Sequence, residues 1–107
     1  PVLMGGDFNV DKINFPQEHV DFLELMNGTE PMALGEFAYS YAGKVNVFAE
    51  DQYSEYLDYV LYSNDHVAPI YSSNTLLVPR SIDSDHWTTW DLSDHYPVAS
   101  EFVFPAE

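Results

Sequence analysis

A chain of 107 residues holds at most one domain, and its hydrophobic content of 46%, with 16% aromatic residues, excludes a disordered polypeptide. The absence of cysteine excludes a disulfide framework, a thiol nucleophile and a thiolate metal site. The formal net charge of −15, from 18 acidic and 3 basic residues, argues against nucleic acid as a partner, because phosphate backbones are bound by clustered lysine and arginine.

The ends of the chain give two further expectations. No apolar run approaches the ~20 residues of a membrane span. The N-terminus has no basic start or long apolar run of the signal-peptide kind, and it opens directly on a strand pattern. We therefore expect the chain to be a fragment of a longer domain.

The first half of the chain predicts a strand, a turn and a helix. Residues 2–4 form a short apolar strand, which Gly5 and Gly6 end, and residues 7–9 form the following turn. Residues 18–26 predict a helix, with Pro16 near its first turn and Asn-Gly after its last. The expected apolar stripe of this helix comprises Val20, Leu23 and Met26, with Phe22 and Leu25 alongside.

The second half predicts mostly strands. Residues 36–41 and 45–49 indicate a hairpin around the turn at 42–44, and 57–62 is a stronger strand. Shorter extended segments at 67–71 and 75–78 are separated by the polar residues 72–74, and residues 98–104 form the last strand. Strands mixed with a helix predict a layered α/β or α+β sandwich.

Three motifs place an aspartate beside an apolar strand. They are Gly-Asp-Phe-Asn at 6–9, Leu-Asp-Tyr-Val at 57–60 and Ser-Asp-His-Tyr-Pro-Val at 93–98. In this order they resemble the endonuclease/exonuclease/phosphatase superfamily of DNase I-like phosphodiesterases. The segments 55–63 and 92–99, with Tyr39-Ser40-Tyr41 followed by Asn46, are similar to its bacterial neutral sphingomyelinase branch. The resemblance implies that residues 1–107 are the C-terminal half of a four-layer αββα sandwich whose N-terminal half is absent.

The chemistry of phosphodiester hydrolysis suggests a role for each polar residue. His95 is the natural base, and a carboxylate such as Asp58 on its other ring nitrogen would fix the tautomer; the resemblance implies the same pair. Asp7 would orient the water or the leaving group, and Asn9 would donate to a phosphate oxygen. Taken singly, Asp7 and Asn9 are common turn residues and His95 a common surface histidine.

Asp94, together with Asp7 and His95, is predicted to hold a divalent cation. Oxygen-rich ligands make Mg²⁺ the default, with Mn²⁺ and Co²⁺ as alternatives. The resemblance implies that the upstream half supplies an Asn, a Glu and another active-site His.

Trp87 and Trp90 are candidates for lipid contact, with core packing equally favoured. The Ser-Asp-His triplet at 84–86 lacks a following proline and strand, and it is read as loop. His19 and His66 are ordinary, the first on a helix face and the second in a turn. A solvated loop is favoured over a second cation site for Asp83, Asp85 and Asp91.

The resemblance predicts a secreted phosphodiesterase that releases phosphocholine from sphingomyelin at a membrane surface and leaves ceramide. The alternatives are a nuclease or inositol-phosphate phosphatase of the same superfamily, and a non-catalytic half-domain that serves as an interaction module. We expect the isolated chain to be inactive and to expose an apolar sheet face that the missing half would cover.

Overall fold

A computed structural model describes residues 1–79 and 91–106 of the chain. Along the chain, its elements are β1 (Leu3–Asp7), α1 (Pro16–Met26), β2 (Gly28–Thr29), β3 (Met32–Leu34), β4 (Tyr41–Ala42), β5 (Ser54–Glu55), β6 (Asp58–Ser63), β7 (Tyr71–Leu76) and β8 (Val98–Val103).

Strand β6 is the centre of the first sheet, whose order is β1-β6-β2. β1 runs antiparallel to β6 in a register that pairs Leu3 with Tyr62 and Asp7 with Asp58. β2 pairs with the far end of β6, through Ser63 and Tyr62. The register therefore places two carboxylates opposite each other where β1 ends and β6 begins.

Strand β7 is the centre of the second sheet, in which β3 is parallel to β7 and β8 is antiparallel to it. β4 and β5 form a separate antiparallel pair. The sheets meet where the Asn74 side chain donates to the carbonyl of Val60 at 3.0 Å, and where the rings of Tyr62 and Phe102 lie 6.5 Å apart.

Helix α1 confirms the predicted helix: it begins at Pro16 and ends at Met26, and the C-cap residue Asn27 has a left-handed φ of 44°. Its buried side differs from the expected stripe, because Val20 is 53% exposed and Leu25 is 86% exposed. The partly buried positions of the helix besides the buried Phe22 are His19, Leu23 and Met26. No helix among the described residues is long and apolar enough to cross a membrane.

The core lies between α1 and the first sheet. Phe22 packs against Phe8 at a ring-centroid distance of 4.9 Å and against Tyr59 at 5.6 Å. Tyr59 and Leu61 are almost completely buried, whereas the alternate positions Asp58 and Val60 are only partly buried. Since successive strand residues face opposite sides, Asp58 faces away from this aromatic core.

The predicted hairpin over residues 36–49 is wrong. Only Tyr41–Ala42 is a strand there, and it pairs with Ser54–Glu55. The backbone turns back at Asn46, whose N–H donates to the carbonyl of Ala42 at 2.9 Å and whose side-chain oxygen accepts from the N–H of Phe48 at 2.9 Å. These local bonds replace the ladder of a strand.

The predicted break at residues 72–74 is also wrong, because these residues lie inside β7. Ser73 and Asn74 are buried, at 5% and 2% exposure. Asn74 accepts a hydrogen bond from the hydroxyl of Ser100 at 2.6 Å, in addition to its bond to Val60. Polar side chains can be buried in this part of the molecule because they form hydrogen bonds to other strands.

Leu61→Ala tests the core. The Leu61 side chain is completely buried, so truncation should lower the free energy of unfolding by about 2–5 kcal/mol. Leu25→Ala on the outer face of α1 is the matched control and should change it by less than about 0.5 kcal/mol. Urea denaturation of the intact protein measures both; equal effects would contradict the described core.

Candidate active site

His95, Asp58 and Asp7 converge at the end of the first sheet. The Nδ1 atom of His95 lies 2.7 Å from Oδ2 of Asp58, which is hydrogen-bonding distance. On the other side of the ring, Nε2 lies 3.9 Å from Oδ2 of Asp7. The imidazole is thus held by one carboxylate, while its second nitrogen faces another.

Three separate segments supply these groups. Asp7 is the last residue of β1 and Asp58 the first of β6, and they are opposite each other in the ladder. His95 comes from the loop before β8 and packs against the ring of Tyr41 at a centroid distance of 5.3 Å. The first sheet therefore fixes the carboxylates, and the loop carries the imidazole to them.

Burial and neighbouring charges shift the pKa of His95 in opposite directions. Burial, the largest single influence, lowers the pKa of His95, but the hydrogen bond and charge of Asp58 raise it, and the charges of Asp7 and Asp94 add to them. The net pKa of His95 is raised above its usual value. A carboxylate on Nδ1 also favours the tautomer with a free electron pair on Nε2.

Asp7 also organises the turn that carries Asn9. Its Oδ1 atom accepts the N–H of Asn9 at 2.9 Å, and Asn9 has a left-handed φ of 55°. Asparagine tolerates this conformation better than most residues. The N–H of Phe8 donates to the carbonyl of Leu57 at 3.1 Å, which keeps the turn close to the start of β6.

Asp94 is exposed, and its Oδ1 atom accepts a hydrogen bond from the hydroxyl of Ser93 at 3.3 Å. Among the described residues, the group of side chains that could share one cation is Asp7, Asp58 and His95, each with a ligand atom within 4.8 Å of the others. This group includes Asp58, which the sequence assigned only to orienting His95, and it does not include Asp94. The role of Asp94 as a ligand stays a prediction.

A pocket of about 460 Å³ lies over these groups. Besides the three polar side chains, its walls include Pro79, Leu92 and Val98. Two carboxylates and an imidazole beside an apolar wall suit a divalent cation and a phosphate ester with an apolar portion.

Three buried polar residues hold the loop that carries His95. Ser40 is completely buried, and its carbonyl accepts a hydrogen bond from the N–H of Tyr96 at 2.7 Å. Asn46 donates to the carbonyl of Ser93 at 2.8 Å, and Asp91 accepts the N–H of Val47 at 2.9 Å. In the sequence, Ser40 and Asn46 stood out only as parts of the resemblance. The pattern that could have identified them is a small polar residue within an apolar stretch.

The reading of Asp91 as a solvated loop charge is wrong, because its side chain is completely buried and accepts hydrogen bonds. A buried carboxylate is retained where donors satisfy it. Trp87, Trp90, Asp83, Asp85 and the triplet at 84–86 lie outside the described residues.

Two other histidines among the described residues, His19 and His66, lie away from this group. His19 stacks on Tyr59 at a centroid distance of 5.5 Å and contacts Glu30 at 2.9 Å. His66 follows the far end of β6, where its Nδ1 atom lies 2.9 Å from the hydroxyl of Ser63. Neither contributes a ligand atom to the group of Asp7, Asp58 and His95.

Comparison with known proteins finds relatives of this chain. No protein-family profile matches the chain. It is 35% identical to a sphingomyelinase C of Bacillus cereus over 116 aligned positions, which cover 92% of this chain and 34% of that protein. The chain thus spans about a third of the length of this relative.

Solved structures of known proteins are also similar to this chain. A beta toxin of Staphylococcus aureus superposes with a TM-score of 0.80 at 28% identity, covering 94% of this chain and 36% of that one. A sphingomyelinase C of Streptomyces griseocarneus gives 0.76 at 30% identity, covering 95% and 37%. The described fold is therefore part of a DNase I-like α/β sandwich. Within that class, the chain is a homologue of the bacterial sphingomyelinases C.

Asp11 offers a pH test of the segment behind the site. It is buried and accepts the N–H groups of Ile13 and Tyr56 and the amide of Asn14. Burial, the largest influence, raises the pKa of Asp11, but these donors together lower it below its usual 3.8.

A lowered folded pKa means that Asp11 contributes stability above its unfolded pKa, and that this contribution is lost as pH falls through the lower folded value. Asp11→Asn should therefore reduce the unfolding free energy at neutral pH and flatten its decline in acid below about pH 4. Urea denaturation across pH measures this. Asp65→Asn, an exposed carboxylate, is the control; a slope equal to that of Asp11→Asn would contradict the expectation.

Proposed function

We propose that this chain is the C-terminal half of a secreted phosphodiesterase domain that hydrolyses sphingomyelin to ceramide and phosphocholine. The single observation that carries the proposal is the 2.7 Å contact of His95 with Asp58, beside Asp7, in a chain similar to sphingomyelinases C. Secretion rests on that similarity alone.

The proton chemistry follows from the geometry. Nε2 of His95 accepts a proton from a water molecule as its oxygen attacks phosphorus, and Asp58 stabilises the resulting imidazolium through Nδ1. The bond from phosphorus to the ceramide oxygen breaks. Water thus supplies the hydroxyl of phosphocholine and the hydrogen of the ceramide hydroxyl. Asp7 orients the water or the leaving oxygen, and Asn9 donates to a non-bridging oxygen.

A divalent cation fits this donor set, and we propose Mg²⁺, with Mn²⁺ or Co²⁺ as possible substitutes. Asp7 would hold it, with Asp94 close along the chain and further ligands from the missing half. His95, which the sequence also offered as a ligand, is kept as the base, because the electron pair on Nε2 cannot bind a cation and accept a proton at once. When bound, the cation offsets the negative charge that develops on the phosphate oxygens. It also answers an electrostatic problem, because a chain of net charge −15 repels the anionic phosphate group of the substrate.

The same net charge favours a lipid over nucleic acid. Sphingomyelin carries one phosphate beside a quaternary ammonium group, so its headgroup has no net charge. A nucleic acid presents a continuous row of phosphates, which requires clustered basic side chains, and this chain has only 3 lysine and arginine residues. A nuclease or an inositol-phosphate phosphatase therefore ranks second.

Open sheet edges support a partial domain. β1 is an edge strand of the first sheet, and β3 and β8 are the edges of the second. Apolar side chains on them are exposed, including Leu3 at 48%, Met32 at 54% and Val103 at 43%. Edges and apolar surface of this kind call for cover, which the N-terminal half of the domain would supply.

His95→Ala in the complete parent protein is the decisive substitution. It should reduce phosphocholine release from sphingomyelin vesicles with Mg²⁺ by about 10²–10⁴-fold, because the general base is lost. His66→Ala, beyond the far end of β6, is the matched control and should retain activity. Supercoiled plasmid in the same reaction reports the alternative: nicked plasmid with intact lipid would move the substrate to nucleic acid.

The segment 1–107 alone should release no phosphocholine, whereas the parent protein should lose activity with EDTA and regain it with Mg²⁺. The physical reason is that the segment holds only part of the proposed cation site. Enzyme assays of both polypeptides at equal concentration, with light scattering to monitor association, measure this. Robust hydrolysis by the segment would contradict the division of the site between two halves.

A further inference from the structure

Ser40 contacts both sides of the catalytic pair from behind, through different atoms. Its hydroxyl accepts the N–H groups of Leu57 at 2.8 Å and Asp58 at 3.1 Å. Its carbonyl accepts the N–H of Tyr96, the neighbour of His95, at 2.7 Å. Ser40 is completely buried, and these bonds place it next to the backbone of both members of the pair.

These bonds hold the start of β6 on the side away from β1, where β2 does not reach because it pairs only with Tyr62 and Ser63. Leu57 precedes the first residue of β6, and its carbonyl is already used by the N–H of Phe8. The hydroxyl of Ser40 satisfies the two successive N–H groups that lead into Asp58. The start of β6 is thus held by β1 through one set of atoms and by Ser40 through another.

We propose that Ser40 is a positioning residue, which sets the hydrogen bond between Asp58 and His95 by holding the backbone of both. Ser40 acts through Asp58 and the loop, and it touches no reacting group. The kinetic part of its test rests on the proposed function, whereas the structural part depends only on the observed pair.

A purely structural role makes a different prediction. Removing the Ser40 hydroxyl leaves two buried N–H groups unsatisfied, which destabilises the fold in either case. Only a positioning role also requires that the bond between Asp58 and His95 loosens in the protein that remains folded. The test therefore needs a direct reading of this bond in folded protein.

The ring N–H of His95 gives that reading. A proton on Nδ1 held 2.7 Å from a carboxylate forms a short, charge-assisted hydrogen bond and gives a far-downfield proton signal in nuclear magnetic resonance. We expect Ser40→Ala in the parent protein, recorded without metal, to move this signal upfield or broaden it by exchange with water. Loss of the signal in His95→Ala assigns it.

Ser63→Ala is the matched control. Ser63 is also buried in the first sheet, and its hydroxyl accepts the N–H of Asp65 at 3.2 Å, but it lies at the opposite end of β6. The His95 signal should be unchanged in this variant. If Ser40→Ala does not fold, Ser40→Cys takes its place, because cysteine has a side chain of similar size with a weaker acceptor atom. The His95 signal should change in the same direction in this variant.

Kinetics supply the second reading. Ser40→Ala should lower kcat by about 10- to 100-fold with KM unchanged, since the effect lies in the orientation of the base. In an Asp58→Asn background, Ser40→Ala should cause no further loss of kcat, because its hydroxyl acts through Asp58. Ser63→Ala should leave kcat unchanged.

The outcomes separate the two proposals. An unchanged His95 signal in folded Ser40→Ala or Ser40→Cys, or additive losses with Asp58→Asn, would overturn the role of Ser40. A displaced signal in a parent protein that does not hydrolyse sphingomyelin would uphold Ser40 as a positioning residue and reject the proposed function.

Discussion

The hydrogen bond between His95 and Asp58 is the constraint on which the arrangement of the site depends. Asp58 belongs to the central strand of the first sheet, and His95 to a loop that leads into an edge strand of the second. Their contact therefore links the two sheets at this end of the molecule. The same bond sets the tautomer of the imidazole and leaves Nε2 facing Asp7 across 3.9 Å. Sheet packing and acid–base chemistry are joined in one contact.

Carboxylates have two distinct uses in this acidic chain. Asp11 and Asp91 are buried and satisfied by backbone N–H groups, so they organise loops as capping groups do. Asp7 and Asp58 are less buried and converge on an imidazole, so their negative charge is concentrated in the site. The buried carboxylates thus support the segments around the candidate site without contributing a group to it.

The sequence predicted elements well where local pattern and environment agree. Helix α1 has a proline start and an asparagine end, and β6 and β8 are apolar runs, so their existence follows from short-range signals. It failed at residues 36–49, where alternating aromatic residues resemble a strand but the Asn46 side chain turns the backbone. It failed again at Asn74, a typical turn residue whose side chain bonds to two other strands. Side-chain bonds between distant residues are invisible to periodicity.

By itself, the sequence determined the chemical groups of the candidate site, because Asp7, Asp58 and His95 each adjoin an apolar strand that a local pattern reveals. It also determined the acidic balance, a formal net charge of −15. Only the tertiary structure decided which nitrogen of His95 meets Asp58, that Asp91 is buried, and that Ser40 lies next to the backbone of both members of the pair. The physical reason is that strand register, loop path and burial arise from contacts between segments far apart in the chain, and no local signal encodes them.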